Sequence, residues 1–122
     1  MKTILLDLQN ITPFDEPISI CLGNFDGVHI GHQQVIKKAV LDSGMEVAVL
    51  TFDAPLGSVI DGRKAKHVLT SVSDRFRIIH RLGADYMLVL HLDASLLEMS
   101  ALDFIENVLK KLNVKKVFAG ED

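Results

Sequence analysis

The sequence predicts an α/β fold, a parallel sheet with helices packed on both faces. Three observations carry that prediction. Short apolar runs alternate with helical patterns, giving strand, helix, strand, helix, strand, helix, strand over residues 18–119. The apolar runs lack clean period-two alternation, as expected of strands covered on both sides. Glycines at 44 and 83 stand where the first two helical patterns stop.

Taken in order, residues 2–8 carry Ile4, Leu5, Leu6 and Leu8 and are read as a strand. Residues 12–17 hold two prolines and read as a loop. Residues 18–22 (ISICL) form a short apolar run followed by glycine, which suits a buried strand. Over 32–41, Val35, Ile36, Ala39 and Val40 mark one face of a helix. Residues 46–52 (EVAVLTF) are a second buried strand, and 53–66 a long loop of the kind that carries function. Residues 73–82 are helical, with Phe76, Ile79 and Leu82 on one side. Residues 86–90 make a third buried strand. Ser100 caps the next helix, with Asp103 at the capping-box position. Leu102, Ile105, Val108, Leu109 and Leu112 form its stripe, read as core-facing, with a homo-oligomeric contact as the alternative. Residues 114–119 are the last strand.

Composition narrows the function. The 122 residues are 48% hydrophobic, enough for a real core. A formal net charge of -3 gives no bulk attraction to nucleic acid or to an anionic membrane, so phosphate binding requires a local site. The single cysteine, Cys21, leaves no disulfide within the chain and fits a cytoplasmic location. Residues 1–17 do not read as a secretory signal, and no apolar stretch approaches the roughly 18 residues of a membrane span.

The densest chemistry lies in Gly23-Asn24-Phe25-Asp26-Gly27-Val28-His29-Ile30-Gly31-His32, between the strand ending near Leu22 and the helix of Val35 and Ile36. Gly23, Gly27 and Gly31 let the backbone turn tightly and approach a ligand. The helix start offers free N–H groups and the positive end of its dipole. His29 and His32 are three residues apart there, so both imidazoles can donate to one phosphate and stabilise charge building on it. The chemistry inferred is in-line attack by an acceptor phosphate on the α-phosphorus of ATP, with pyrophosphate leaving and magnesium offsetting the triphosphate charge. The plain alternative is a glycine turn with incidental histidines. A metal site on the His-x-x-His pair is disfavoured, because no cysteine cluster or nearby acidic pair completes it, and no metal ligand is assigned.

Residues 23–33 closely resemble the first motif of bacterial FAD synthetases, the bifunctional riboflavin kinase/FMN adenylyltransferases, in their N-terminal adenylyltransferase module. Leu50-Thr51-Phe52-Asp53 resembles the family's second motif. Leu69-Thr70-Ser71, Arg75 and the helix leading to Gly83-Ala84-Asp85-Tyr86 resemble its middle segment, and residues 117–122 the start of its third motif. The resemblance implies a Rossmann-like nucleotidyltransferase fold with ATP and FMN as substrates and FAD as product. It implies that His29 and His32 contact ATP phosphates. Gly23, Asn24, Phe25, Asp26, Gly27 and Gly31 would shape the ATP pocket, and Asp53 and Asp122 would lie on the flavin side. The family's Pro-His-Pro after Thr-Phe-Asp is replaced by Ala54-Pro55-Leu56. The expectation is therefore one incomplete adenylyltransferase domain over 1–122, without the riboflavin kinase domain. A non-catalytic ATP or flavin-nucleotide binding module, or transfer to a different phosphate acceptor, are the competing readings.

Among the remaining polar residues, Arg63, Lys64 and Lys66 read as solvated loop cations. Arg75 and Arg77 begin a helix, where their charge opposes the dipole. His67, His80 and His91 lack convergent partners in the sequence and read as structural or exposed, and Cys21 as inert core.

Overall fold

Five parallel strands in the order β1-β4-β3-β2-β5 make the sheet. The computed structural model describes residues 1–23, 30–53 and 72–120. In chain order these are β1 (Lys2–Leu6), β2 (Ile18–Leu22), α1 (Ile30–Asp42), β3 (Val47–Phe52), α2 (Val72–Arg81), β4 (Tyr86–Leu90), α3 (Ala94–Glu98), α4 (101–112) and β5 (Val114–Ala119). Of the long loop expected over 53–66, residues 54–66 lie outside the described residues.

Alternate strand residues point to opposite faces, and each face has its own apolar layer. Cys21, Val47, Val49, Met87 and Val89 pack with Ile36 and Ala39 of α1 and Ile79 of α2. Ile18, Ile20, Ala48, Leu50, Leu88 and Leu90 pack on the other face with Leu96 of α3 and Val108, Leu109 and Leu112 of α4. From β2 the chain steps through α1 to β3 and through α2 to β4. It then crosses back over the opposite face, through α3 and α4, to place β5 on the far side of β2. Right-handed crossovers require that change of face when the direction of travel reverses. The strand order breaks between β2 and β5, where α1 leaves β2 on one face and α4 enters β5 from the other, so the carboxyl end of β2 lies at the topological switch point, where open α/β sheets bind ligands.

The amino ends of the strands are tied by Asp85. Its Oδ2 accepts the Val47 N–H at 2.8 Å, and its own N–H donates to the Val47 carbonyl at 2.8 Å. Asp85 belongs to a segment that resembles the family, yet it works at the end of the sheet opposite the candidate site. The 12–17 loop is held at the same end: the Phe14 ring stands 4.7 Å from that of Tyr86, and the Asn113 amide donates to the Phe14 carbonyl at 3.0 Å.

Two expectations are corrected. Residues 94–98 form a helix where none was expected; Asp93 caps it by accepting the Leu96 N–H at 2.8 Å. The stripe of α4 is broken: Val108, Leu109 and Leu112 are buried, but Leu102 is 67% exposed and Ile105 42%. The cause is local. Between Ile105 and Leu109 the helix is a π-helix, with the Lys110 N–H bonded to the carbonyl of Ile105, five residues back. One extra residue in a turn puts the residues before it about 100° out of register with those after it. Phe104 takes the core-facing position in their place. Ser100 caps α4 as expected, its Oγ accepting the Asp103 N–H at 3.1 Å.

Gly44, beyond α1, has φ +71°, and Gly83, beyond α2, has φ +96°. A Cβ at Gly44 would meet nothing within 4 Å, whereas one at Gly83 would lie 3.3 Å from Val40 Cγ1. Gly44→Ala should therefore lower the unfolding free energy by about 1 kcal/mol through backbone strain alone. Gly83→Ala should cost about 2 kcal/mol, because crowding adds to the strain. Urea unfolding of the two variants checks the order; equal losses would show that Val40 moves aside freely.

Candidate functional site

The site is built where β2, β3 and β4 end. Gly23 follows β2, and α1 begins at Ile30. Asn24, Phe25, Asp26, Gly27 and His29 lie outside the described residues. Gly31 and His32 are in the first turn of α1, and His32 is only 8% exposed. That turn contains no acidic side chain. A buried imidazole in the first turn of a thirteen-residue helix, where backbone N–H groups have no intrahelical partner, suits an anion such as a phosphate.

Asp53 follows β3 directly. Its N–H donates to the Leu90 carbonyl at 3.2 Å, extending the ladder to β4. Its carboxylate then turns to β4: Oδ1 accepts the Leu92 N–H at 2.9 Å, and Oδ2 lies 2.6 Å from His91 Nδ1. The Asp53 carboxylate raises the His91 pKa above its ordinary value, first through this hydrogen bond and then through its charge; partial desolvation opposes, and Asp93 and Asp7 add smaller raising effects. His91 is exposed, as expected, but the reading that it lacks a convergent partner is corrected. Its partner is 38 positions away in sequence, a pairing that only the parallel register of β3 and β4 creates.

Arg75 is the residue to which sequence reasoning gave too little weight. Although its charge opposes the dipole at the helix start, it is 6% exposed. Its Nη1 donates to the Phe52 carbonyl at 3.0 Å and to the Thr51 hydroxyl. These bonds place a positive charge at the carboxyl end of β3, one residue before Asp53. They also repay the cost of burying the guanidinium near the start of α2. The signal available in the sequence was the aromatic and aliphatic residues flanking Arg75 in an amphipathic helix.

The other candidates resolve simply. Cys21 is fully buried, and burial pushes its thiol up to about 12, so it is core and not a nucleophile. His80 stacks on Phe76, with ring centroids 5.9 Å apart. Arg63, Lys64, Lys66, His67 and Asp122 lie outside the described residues. Among the described residues, no group of three or more His, Cys, Asp or Glu comes together as a metal site. No described helix is long and apolar enough to cross a membrane.

A family model described as FAD synthetase matches residues 11–122. A bifunctional riboflavin kinase/FMN adenylyltransferase of Listeria monocytogenes is 40% identical, over 100% of this chain and 41% of that protein. Its counterpart in Bacillus subtilis is 35% identical, over 84% of this chain and 34% of the relative. The chain thus spans about two-fifths of the length of the curated relatives it matches. A solved structure described as a macrolide-efflux protein from Streptococcus pneumoniae superposes with a TM-score of 0.80 at 22% identity, over 96% of this chain and 40% of that one. That likeness establishes the fold.

Proposed function

The chain belongs to the FAD synthetase family, and from that premise we propose that residues 1–122 act as an FMN adenylyltransferase unit, ATP and FMN giving FAD and pyrophosphate. One observation carries the reading: α1 begins beyond β2 at the switch point of the sheet, with His32 buried in its first turn. In this reading His29 and His32 are the catalytic contacts to the ATP phosphates. Gly23, Asn24, Phe25, Asp26, Gly27 and Gly31 form the ATP pocket, and Asp53 and Asp122 lie on the flavin side.

An oxygen of the FMN phosphate attacks the α-phosphorus of ATP. The bond from that phosphorus to the bridging oxygen breaks, and pyrophosphate leaves on the opposite side. The helix N–H groups and the imidazoles stabilise the charge that builds on the phosphoryl oxygens, a contribution worth about 3–4 kcal/mol per well-placed donor. Magnesium would offset the charge of the triphosphate. The reaction belongs to cytoplasmic metabolism.

The test incubates the chain with ATP, magnesium and FMN and follows FAD and pyrophosphate by chromatography, with ATP and FMN affinities measured by calorimetry. FAD and pyrophosphate should appear in equal amounts. Binding without product would replace the enzyme by a nucleotide-binding module, and failure to bind ATP would overturn the assignment of the α1 site.

A further inference from the structure

Asp53 poses a problem for any acceptor that carries a phosphate. Its carboxylate sits at the mouth of the strand ends, 38% exposed, and like charges repel there. Two further carboxylates stand nearby, Asp7 beyond β1 and Asp93 beyond β4. Each is engaged in its own turn: Asp7 Oδ1 accepts the Gln9 N–H at 2.9 Å, and Asp93 Oδ1 the Leu96 N–H. Among the described residues, the group that meets Asp53 from the β4 side is the imidazole of His91.

We propose that His91 is a positioning residue for the acceptor: together with the Leu92 N–H it fixes the Asp53 carboxylate at the shared end of β3 and β4 and offsets its charge, so that a phosphate-bearing acceptor can lie beside it. This rests on the function proposed above and adds to it a residue from a different strand. The geometry supplies both halves. Two donors on adjacent residues of one strand end hold the two oxygens of one carboxylate, which leaves the side chain little freedom to turn. The imidazole backbone is itself fixed, because the His91 N–H donates to the Leu6 carbonyl at 2.8 Å.

The sign of the pH dependence follows. The His91 pKa is raised in the folded chain, with Asp53 from β3, Asp93 from its own connection and Asp7 from β1 all acting in that direction. At low pH the pair is imidazolium and carboxylate and is neutral overall. As pH rises through the raised value, the proton leaves and the pair becomes a net anion. The stabilisation that the pair gives the fold is fully present below the ordinary histidine value and is lost through the same window. Affinity for a phosphate-bearing acceptor should fall there as well. His91 is exposed, so water screens the effect, and about fivefold is expected.

The experiment titrates flavin fluorescence with FMN and with riboflavin, which lacks the phosphate, from about pH 5 to pH 8. It compares the chain with His91→Gln, Asp53→Asn and Asp53→Asn/His91→Gln, all checked for folding by circular dichroism. The FMN phosphate ionises in the same range, so the informative quantity is the ratio of affinities between the unsubstituted chain and His91→Gln. That ratio should be about fivefold at low pH, converge towards one at high pH, and stay near one throughout for riboflavin. With Asp53 already replaced by Asn, the carboxylate that raises the His91 pKa is gone, so the pH window in which His91→Gln changes FMN affinity should move to lower pH. A ratio that does not vary with pH, or that is the same for riboflavin, would overturn the role of His91 while leaving the proposed function standing. Failure of either flavin to bind at any pH would remove the acceptor assignment itself, and this role with it.

Discussion

If residues 1–122 act as proposed, His32→Ala should lower FAD formation by about two to three orders of magnitude, the loss expected when one preorganised donor to a developing oxyanion is removed. The expectation separates a loss of chemistry from a loss of folding. His32 lies in the first turn of α1, and alanine is the strongest helix former, so the helix itself is not weakened. The imidazole is buried, so some packing is lost, and the melting temperature should fall by no more than about 5 °C. Steady-state kinetics with ATP varied and a thermal melt on the same sample decide the matter. A melting temperature lower by more than about 10 °C, with activity lost in proportion to unfolding, would make His32 a structural residue.

Arg75→Met has the larger effect on stability. It removes the cation but leaves the buried Thr51 hydroxyl and the part-buried Phe52 carbonyl without that donor. Hydrogen bonds to charged groups contribute about 1.5–3 kcal/mol each, and a stranded buried acceptor adds to the loss, so about 3 kcal/mol of unfolding free energy should disappear. The urea midpoint should drop with its slope unchanged. Catalysis should suffer too, because the Phe52 carbonyl is one peptide from Asp53. Arg75→Lys should recover less than half of the stability, since an ammonium cannot reproduce the planar fork. A loss below about 1 kcal/mol for Arg75→Met would mean that water takes over both bonds.

Much of this was legible in the sequence because it depends on contiguous pattern. The apolar runs at 18–22, 46–52 and 86–90 are strands since they are buried on both faces, and such burial leaves a continuous apolar trace. Gly44 and Gly83 mark helix ends because the backbone there is left-handed. What escaped depends on pairing across distance or on a break in period. Nothing near His91 in sequence points to Asp53, and nothing near Arg75 points to the Phe52 carbonyl. Helix α3 has five residues, too short to show a period. Leu102 and Ile105 obey the α-helical spacing that predicts burial, and the π-turn after them removes it. The candidate site divides in the same way: its glycine-histidine loop is a local motif, whereas the Asp53–His91 pair is a product of strand register.

The place of β1 in the sheet has a consequence for how the chain is made. Synthesis delivers β1 first, yet its neighbour in the sheet is β4, with Lys2 opposite Tyr86. While the ribosome adds the intervening residues, β1 has no strand to pair with, and the emerging β2, β3 and β4 must assemble without it. Closing so long a loop carries an entropy cost that local contacts do not share. The amino-terminal strand should therefore be among the last to dock, and a nascent chain halted before β4 should leave residues 2–6 open to proteases that the finished sheet excludes.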